Sequence, residues 1–324
     1  MSALVVSVCS PVRRRSRQRS RDPYIERLQA GSKLPSRDRR GGERRWRLTS
    51  RHAALTRRAA SIRGGRVLMA SIEIRQFGCR SDNFGVLVHD KDTGTTIAID
   101  APEEQPILDA LEATGWTLTH ILTTHHHGDH VEANEALKAR FQVEIIGPAK
   151  ERDRIPGIDR TASGGDTLDV GGIRVEAIDT PGHTLGEVSY YMPDAKALFA
   201  ADALFSLGCG RLFEGDAAMM WDSLQRLRAL PDDTMLYCGH EYTATNARCA
   251  IDIDPQNLAL QERVKEVEHL RVEGKPTLPV SLGREKKTNP FLRADDPELK
   301  AAMGMEDAQP AEVFAAIRKK RDGY

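Results

Sequence analysis

The sequence predicts an α+β fold, a mixed sheet-and-helix domain followed by a small helical one. Three observations predict it. Short β-like runs recur from Met69 to about residue 240, several of them separated by turn residues. Helical patterns fall between some of those runs. After about residue 245 the β-like runs stop and the texture turns helical. With 324 residues, 40% hydrophobic and 29% charged, the chain suits one large globular domain or two smaller ones. No apolar run approaches the ~20 residues needed to span a bilayer.

The formal net charge of zero hides a split. Residues 1–68 hold 19 Lys and Arg against 4 Asp and Glu, whereas residues 69–324 hold 28 against 43. The first stretch contains "RRRSRQRSR" and "RDRRGGERRWR" and no sustained apolar periodicity, so it is expected to be disordered in isolation. It reads as a targeting peptide, a nucleic-acid-binding arm, or residues translated from an upstream start. The last is the reading adopted, because Met69 directly precedes "ASIEIRQFG", where ordered patterning begins. Cys9, Cys79, Cys209, Cys238 and Cys249 are odd in number, widely spaced and without a CxxC, which implies a reducing, cytoplasmic setting.

The β-like runs, in order, are "SIEIRQF", "FGVLVHD", "TTIAIDA", "THILTT", "VEIIG", "IRVEAID", "VSYYM", "ALFAAD" and "MLYCG". Helices are expected at "EEQPILDALEATG", which ends on glycine, at "DHVEANEALKARF", and at "AAMMWDSLQRLRAL" up to Pro231. The expected boundary follows residue 245. Beyond it, "IDPQNLALQERVKEVEHLRVEG" reads as one long helix and "KPTLPVSLGREKKTNPFLR" as a loop. "DPELKAAMGM" and "PAEVFAAIRKKRD" read as two shorter helices.

One stretch stands apart. "LTTHHHGDHVEAN" places four of the chain's 10 histidines within six residues. His125 and His127 are two apart, so in an extended segment they face the same side. They follow the apolar strand "HILTT", with Asp129 and His130 next, where a helix should begin. His126 is expected to point away, and Gly128 to permit a tight bend. Imidazole and carboxylate donors suit zinc, iron or manganese. Two metals would need further donors. His183 in "DTPGHTLG", Asp202 in "ALFAAD" and His240 in "MLYCGHEYT" each follow or end a β-like run, and strand ends gather on one sheet edge.

"TTHHHGDH", "TPGHT", "LFAAD" and "CGHEYT" resemble the ordered motifs of the metallo-β-lactamase superfamily. "ALFAADALFSLGCGRLFEGD", "LYCGHEYT" and "KKTNPFLR" resemble its glyoxalase II family, the hydroxyacylglutathione hydrolases, over essentially all of residues 69–324. The resemblance implies a four-layer αββα sandwich over residues 69–245 and a helical substrate-binding domain over 246–324. It implies two divalent metal ions, expected to be zinc, with iron or manganese as alternatives. His125, His127 and His183 would hold the first, Asp129, His130 and His240 the second, and Asp202 would bridge them. Asp129 would also orient the attacking water. Arg211, Phe213, Tyr242, Arg318 and Arg321 would bind the substrate. Phe213 stands where some members have tyrosine, and Arg321 where the family has lysine.

The implied reaction is hydrolysis of the thioester of S-(2-hydroxyacyl)glutathione, the second step of methylglyoxal detoxification. A monomer is expected, with a glutathione thioester as small-molecule partner and neither nucleic acid nor membrane. Cys209 is read as a packed residue, not a nucleophile. The alternatives are another hydrolase of this fold, a persulfide dioxygenase, or a nucleic-acid-binding protein that uses the basic leader.

Overall fold

Alternation along the strands builds two sheets whose inner faces pack against each other. The computed structural model describes residues 72–324, together with the backbone of an antiparallel ribbon of β1 (Ala60–Arg63) and β2 (Arg66–Met69). The rest of the expected leader lies outside the described residues. The first sheet contains β3 (Ile72–Cys79), β4 (Asn83–Asp90), β5 (Thr96–Ile99), β6 (His120–Leu122), β7 (Glu144–Pro148) and β8 (Arg160–Ala162), side by side in that order. β3 to β5 pair antiparallel and β5 to β8 parallel.

The second sheet begins with β9 (Thr167–Val170), β10 (Ile173–Asp179), β11 (Val188–Met192) and β12 (Ala197–Phe199). A ribbon of β13 (Leu204–Phe205) and β14 (Gly208–Cys209) follows, and then β15 (Met235–Tyr237) and β16 (Val280–Ser281) complete the sheet. Its order is β16-β15-β12-β11-β10-β9, with β12 and β15 parallel. The C-terminal ends of β5, β6, β10, β12 and β15 therefore lie along one edge of the sandwich, just where Asp100, His125, His183, Asp202 and His240 follow them in the chain.

Between the sheets, Val86, Val88, Ile97, Ile99, Leu122 and Ile146 meet Val175, Val188, Tyr190, Met192 and Phe199. The intervening Leu87, Ala98, Ile121 and Ile145 face outward. They bury Ile107 and Leu111 of α1 (Glu104–Thr114) and Leu137 of α3 (Asn134–Phe141), with α2 (Gly128–Val131) preceding α3. On the far side, Tyr191, Leu198 and Leu236 bury Trp221 and Leu224 of α4 (Ala217–Arg228). The helical region supplies α5 (Thr243–Ile253), α6 (Leu258–Val272), α7 (Leu282–Thr288), α8 (Pro297–Ala302) and α9 (Pro310–Arg321). Phe314 and Ile317 of α9 join the same outer cluster as Trp221. The four-layer αββα sandwich with a helical C-terminal region is thus the observed architecture.

Local sequence explains most helix ends. Gly115 ends α1 with φ 72°, and the Asp216 side chain caps α4 by accepting from Met219 N–H. Three expectations change. The helix expected from Asp129 to Phe141 divides into α2 and α3, broken at Glu132–Ala133. The long helix starts only at Leu258, where the Asn257 side chain accepts from Leu260 N–H, and the preceding residues close the separate α5. The segment read as a loop over residues 275–293 contains β16, which completes the second sheet against β15, and α7. The boundary expected after residue 245 falls inside α5.

Phe199 is buried between the sheets and stacks on Tyr237 with ring centroids 5.3 Å apart. Phe199→Ala is expected to lower stability by about 3–5 kcal/mol. Urea unfolding checks this. A loss below about 1 kcal/mol would show that the inter-sheet core collapses around the gap.

Candidate metal centre

Four loops at the sandwich edge bring seven donor side chains together. Three overlapping sets, His125/His127/His183, His125/His130/Asp202 and Asp129/His130/His240, each have donor atoms within 4.8 Å of one another. In the first set, Nδ1 of His127 lies 3.1 Å from Nε2 of His125 and 3.0 Å from Nε2 of His183. In the third, Oδ2 of Asp129 lies 3.4 Å from Nε2 of His240 and 3.7 Å from Nε2 of His130. Asp202 stands between them. Its Oδ2 is 3.4 Å from His183 Nε2 and 3.5 Å from His240 Nε2, and its Oδ1 is 3.5 Å from His130 Nε2.

These spacings fit a metal. A tetrahedral shell with bonds of about 2.0–2.1 Å sets neighbouring donors about 3.3–3.4 Å apart. Nε2 of His130 and Oδ1 of Asp202 are moreover buried with no hydrogen-bond partner. Such atoms are normally satisfied. Three ring nitrogens that converge on one point cannot all be satisfied by each other's protons. A cation at each triad accepts every lone pair.

The far side of each ring is fixed. Nδ1 of His130 lies 2.8 Å from Asp100, Nδ1 of His240 lies 2.8 Å from Asp82, and Nδ1 of His183 lies 2.8 Å from the Arg211 carbonyl. Nδ1 of His125 lies 3.1 Å from the Thr124 hydroxyl, which also donates to Asp100. Asn83 donates to both the carbonyl and the carboxylate of Asp129. Glu187 accepts the Asp202 N–H. Partners of this kind set the ring orientation and the nitrogen left for a metal.

Protons and cations compete for the site. Burial, reinforced by the surrounding imidazoles, holds the pKa of His125 well below its ordinary value, and burial lowers those of His127 and His183. These rings are neutral and ready to coordinate. Burial also pulls down His130 and His240, but Asp202, Asp100, Asp129 and Asp82 outweigh it. His130 is raised, and His240 reaches about 11. Burial pushes Asp202 up, but His130, His240 and His183 outweigh it and bring it to about 2. The hydrogen bond from His240 keeps Asp129 far below the usual carboxylate range.

The residues expected around the substrate divide. Phe213 is 64% exposed, with its ring edge-on to His183 and His127 at 5.2 and 5.8 Å. Arg211 is exposed, with Nε 3.7 Å from Asp322. Tyr242 stacks on His240 at 4.8 Å and turns its hydroxyl to Asp82 at 3.3 Å. Arg318 is buried, and its guanidinium donates to the carbonyl of Cys209 at 2.7 Å and to Asp322 at 3.1 Å. Neither a solvated helix end nor an open anion site describes it. Arg321 donates to Asn246 at 2.7 Å, and burial with the neighbouring Arg318 lowers its pKa. Cys209 is buried and its thiol is pushed up to about 11, as a packed residue requires.

Two details correct the sequence reading. His126 does turn away from the donors, but into a partner, the buried Glu151 at 2.7 Å. Gly128 has no positive φ, and a Cβ there would meet nothing within 4 Å, so no bend requires glycine. The glycine that matters is Gly239, where a Cβ would lie 2.4 Å from Asp202 Oδ1 and 2.9 Å from His130 Cε1.

A family profile described as the metallo-β-lactamase superfamily matches residues 91–240, and one described as the hydroxyacylglutathione hydrolase C-terminus matches residues 241–324. A curated relative from Rhizobium meliloti, named hydroxyacylglutathione hydrolase, is 60% identical over 256 residues, 79% of this chain and 100% of the relative. Another of that name from Mesorhizobium japonicum is 59% identical over 254 residues, 78% of this chain and 100% of the relative. Among solved structures, ETHE1 from Myxococcus xanthus superposes with a TM-score of 0.54 at 27% identity, covering 78% of this chain and 100% of that one.

Two outcomes are expected. Gly239→Ala should lower bound metal, read by elemental analysis, because its Cβ enters the donor cluster. Full metal content in that variant would show that the loop yields without disturbing Asp202. Metal binding near pH 7 should release protons, because His240, raised to about 11, holds one that a metal must displace, and affinity should fall on acidification. Calorimetric titration in buffers of different ionisation enthalpy measures this, and heats independent of buffer would contradict it.

Proposed function

The chain belongs to the hydroxyacylglutathione hydrolase family of the metallo-β-lactamase superfamily, and from that premise we propose that it hydrolyses the thioester of an S-(2-hydroxyacyl)glutathione, releasing glutathione and a 2-hydroxy acid. The observation that carries this reading is the pair of donor triads sharing Asp202, with three arginines in the segments beyond it. The profile match over residues 241–324 favours it over the other hydrolases and the dioxygenase. The nucleic-acid reading rests on the leader, outside the described residues.

In this proposal His125, His127 and His183 hold one divalent ion, Asp129, His130 and His240 hold a second, and Asp202 belongs to both. Zinc is our choice for both, since imidazole and carboxylate donors without thiolate would suit it and several donor separations lie near those of a tetrahedral shell. Divalent ions held here would supply an activated water near neutral pH and polarise a carbonyl.

The chain's own residues do the rest. Asp129 is partly exposed and fixed by Asn83, so its carboxylate can accept a hydrogen bond from a water at the mouth of the site and aim it. Phe213 sets an apolar ring beside His127 and His183, where it can pack against the substrate. Arg211 and Arg321 are the candidates for the glutathione carboxylates, which are anions remote from the scissile bond. Arg318 acts one step back, holding the Cys209–Gly210 backbone that leads to Arg211. Tyr242 supports His240 first, since its hydroxyl already donates to Asp82. Four free, buried cysteines among the described residues support a reducing, cytoplasmic setting.

The test compares two substrates. Arg211→Ala should raise KM for a lactoyl-glutathione thioester roughly 10- to 150-fold, the worth of one charge-assisted hydrogen bond. Metal content should stay unchanged, and a simple thioester without glutathione's carboxylates should be turned over as before. An equal loss on both substrates would remove Arg211 from substrate binding. A metal-loaded wild-type chain that leaves glutathione thioesters intact would overturn the functional reading itself.

A further inference from the structure

His126 is the member of the cluster that holds no converging donor, and its partner carries a role of its own. Glu151 lies on the 3-10 turn Ala149–Arg154 after β7 and is buried. Its Oε2 accepts from the backbone N–H of His126 at 2.7 Å and from His126 Nδ1 at 2.7 Å. Its Oε1 accepts from the backbone N–H of Gly186 at 3.0 Å and from the hydroxyl of Thr184. His126 sits between His125 and His127, and Thr184 follows His183. One carboxylate, remote in sequence from both loops, thus grips the two loops that carry the whole first triad. The approach is close, since a Cβ on Gly186 would lie 2.4 Å from Glu151 Cγ.

The second triad is held by other means. His130 leans on Asp100, His240 on Asp82, and Asp129 on Asn83. Glu151 touches none of its members among these bonds. Asp100 reaches both triads, through His130 and through Thr124, but Glu151 bonds only to the loops of the first, so it can be perturbed separately.

We propose that Glu151 is a positioning residue for the first metal. It sets the distance between His183 and the His125/His127 pair by fixing the flanking residues of both loops. The inference rests on reading that triad as a metal site. Glu151→Gln keeps the volume but replaces one acceptor oxygen with an NH2 donor, which then faces donors already aimed at it.

The test is zinc titration of the purified full-length chain against a competing chelator, with no substrate present. Glu151→Gln is expected to weaken one of two binding events about 10- to 100-fold, as outer partners of metal ligands typically do. Two backgrounds identify which event. In His240→Ala, where the first triad remains, Glu151→Gln should weaken zinc by the same factor. In His127→Ala, where the second remains, it should change affinity less than about 2-fold. Wild-type affinity in Glu151→Gln, or equal weakening in both backgrounds, overturns the proposal. Should Glu151→Gln fail to fold, Thr184→Val decides. It removes a single bond to Glu151, and about 5-fold weaker zinc in the His240→Ala background alone supports the role. No change in either background overturns it. Because the titration reads metal only, a chain that binds both ions and hydrolyses no thioester would end the functional reading and leave this result standing.

Discussion

Nitrogen and oxygen donors with their lone pairs turned inward repel one another unless a cation sits among them, and the rest of this molecule is arranged around that constraint. The donors come from segments as distant as His125 and His240, so the fold must deliver them to one point and prevent them from relaxing apart. Parallel pairing of β5 with β6 and of β12 with β15 places the delivering strand ends on one edge. The outer carboxylates then lock each ring, and their negative charge offsets part of the cost of the cations. The backbone pays locally. Asp100, which holds His130, and Ala201, which precedes Asp202, adopt left-handed conformations with φ of 56° and 36°.

Much of the site was legible because metal chemistry restricts both residue type and spacing. Two histidines two apart at a strand end share a face whatever the tertiary structure, and Asp129 with His130 on the following turn extends the same patch. His183, Asp202 and His240 were found by one rule, that strand ends gather on an edge. The same rule applied to "TTIAID" points to Asp100, which holds His130. Asp82 and Asn83 offered no such signal. Asp82 lies between β3 and β4 and Asn83 opens β4, and both reach the centre only because this turn pairs with the chain around His240, through Phe84 N–H to Gly239 O and Glu241 N–H to Asp82 O. Such pairing is a property of the folded chain and leaves no local pattern.

The fold was legible where alternation was long and lost where it was short. β4, with Val86 and Val88 on one face and Leu87 on the other, reads plainly as a strand. β16 has two residues, too few to show a period, and it exists because the edge of β15 would otherwise stay unpaired. The break between α5 and α6 was hidden for a related reason. Asp254 to Asn257 read as part of one long helix, and the division depends on Asn257 capping the helix from Leu258. Gly128 shows the opposite error, a glycine assigned a conformational duty that the backbone does not need.

The helical region is bound to the chemistry through backbone satisfaction. The segment from Phe205 to Gly210 runs from the shared Asp202 to Arg211 and is buried, so its peptide groups need partners. The sheets supply few of them. Glu285 accepts from Ser206 Oγ and Leu207 N–H, Asn289 donates to the carbonyls of Phe205 and Gly208, and Asn246 donates to the carbonyl of Ser206. Arg318 completes the series at Cys209. Each of these side chains lies beyond residue 245, yet each holds chain that belongs to the sandwich. A cut near residue 245 would strand buried carbonyls two steps from Asp202. The helical region is therefore part of the structure of the metal centre as well as the carrier of arginines, and the two cannot be expected to function as separable modules.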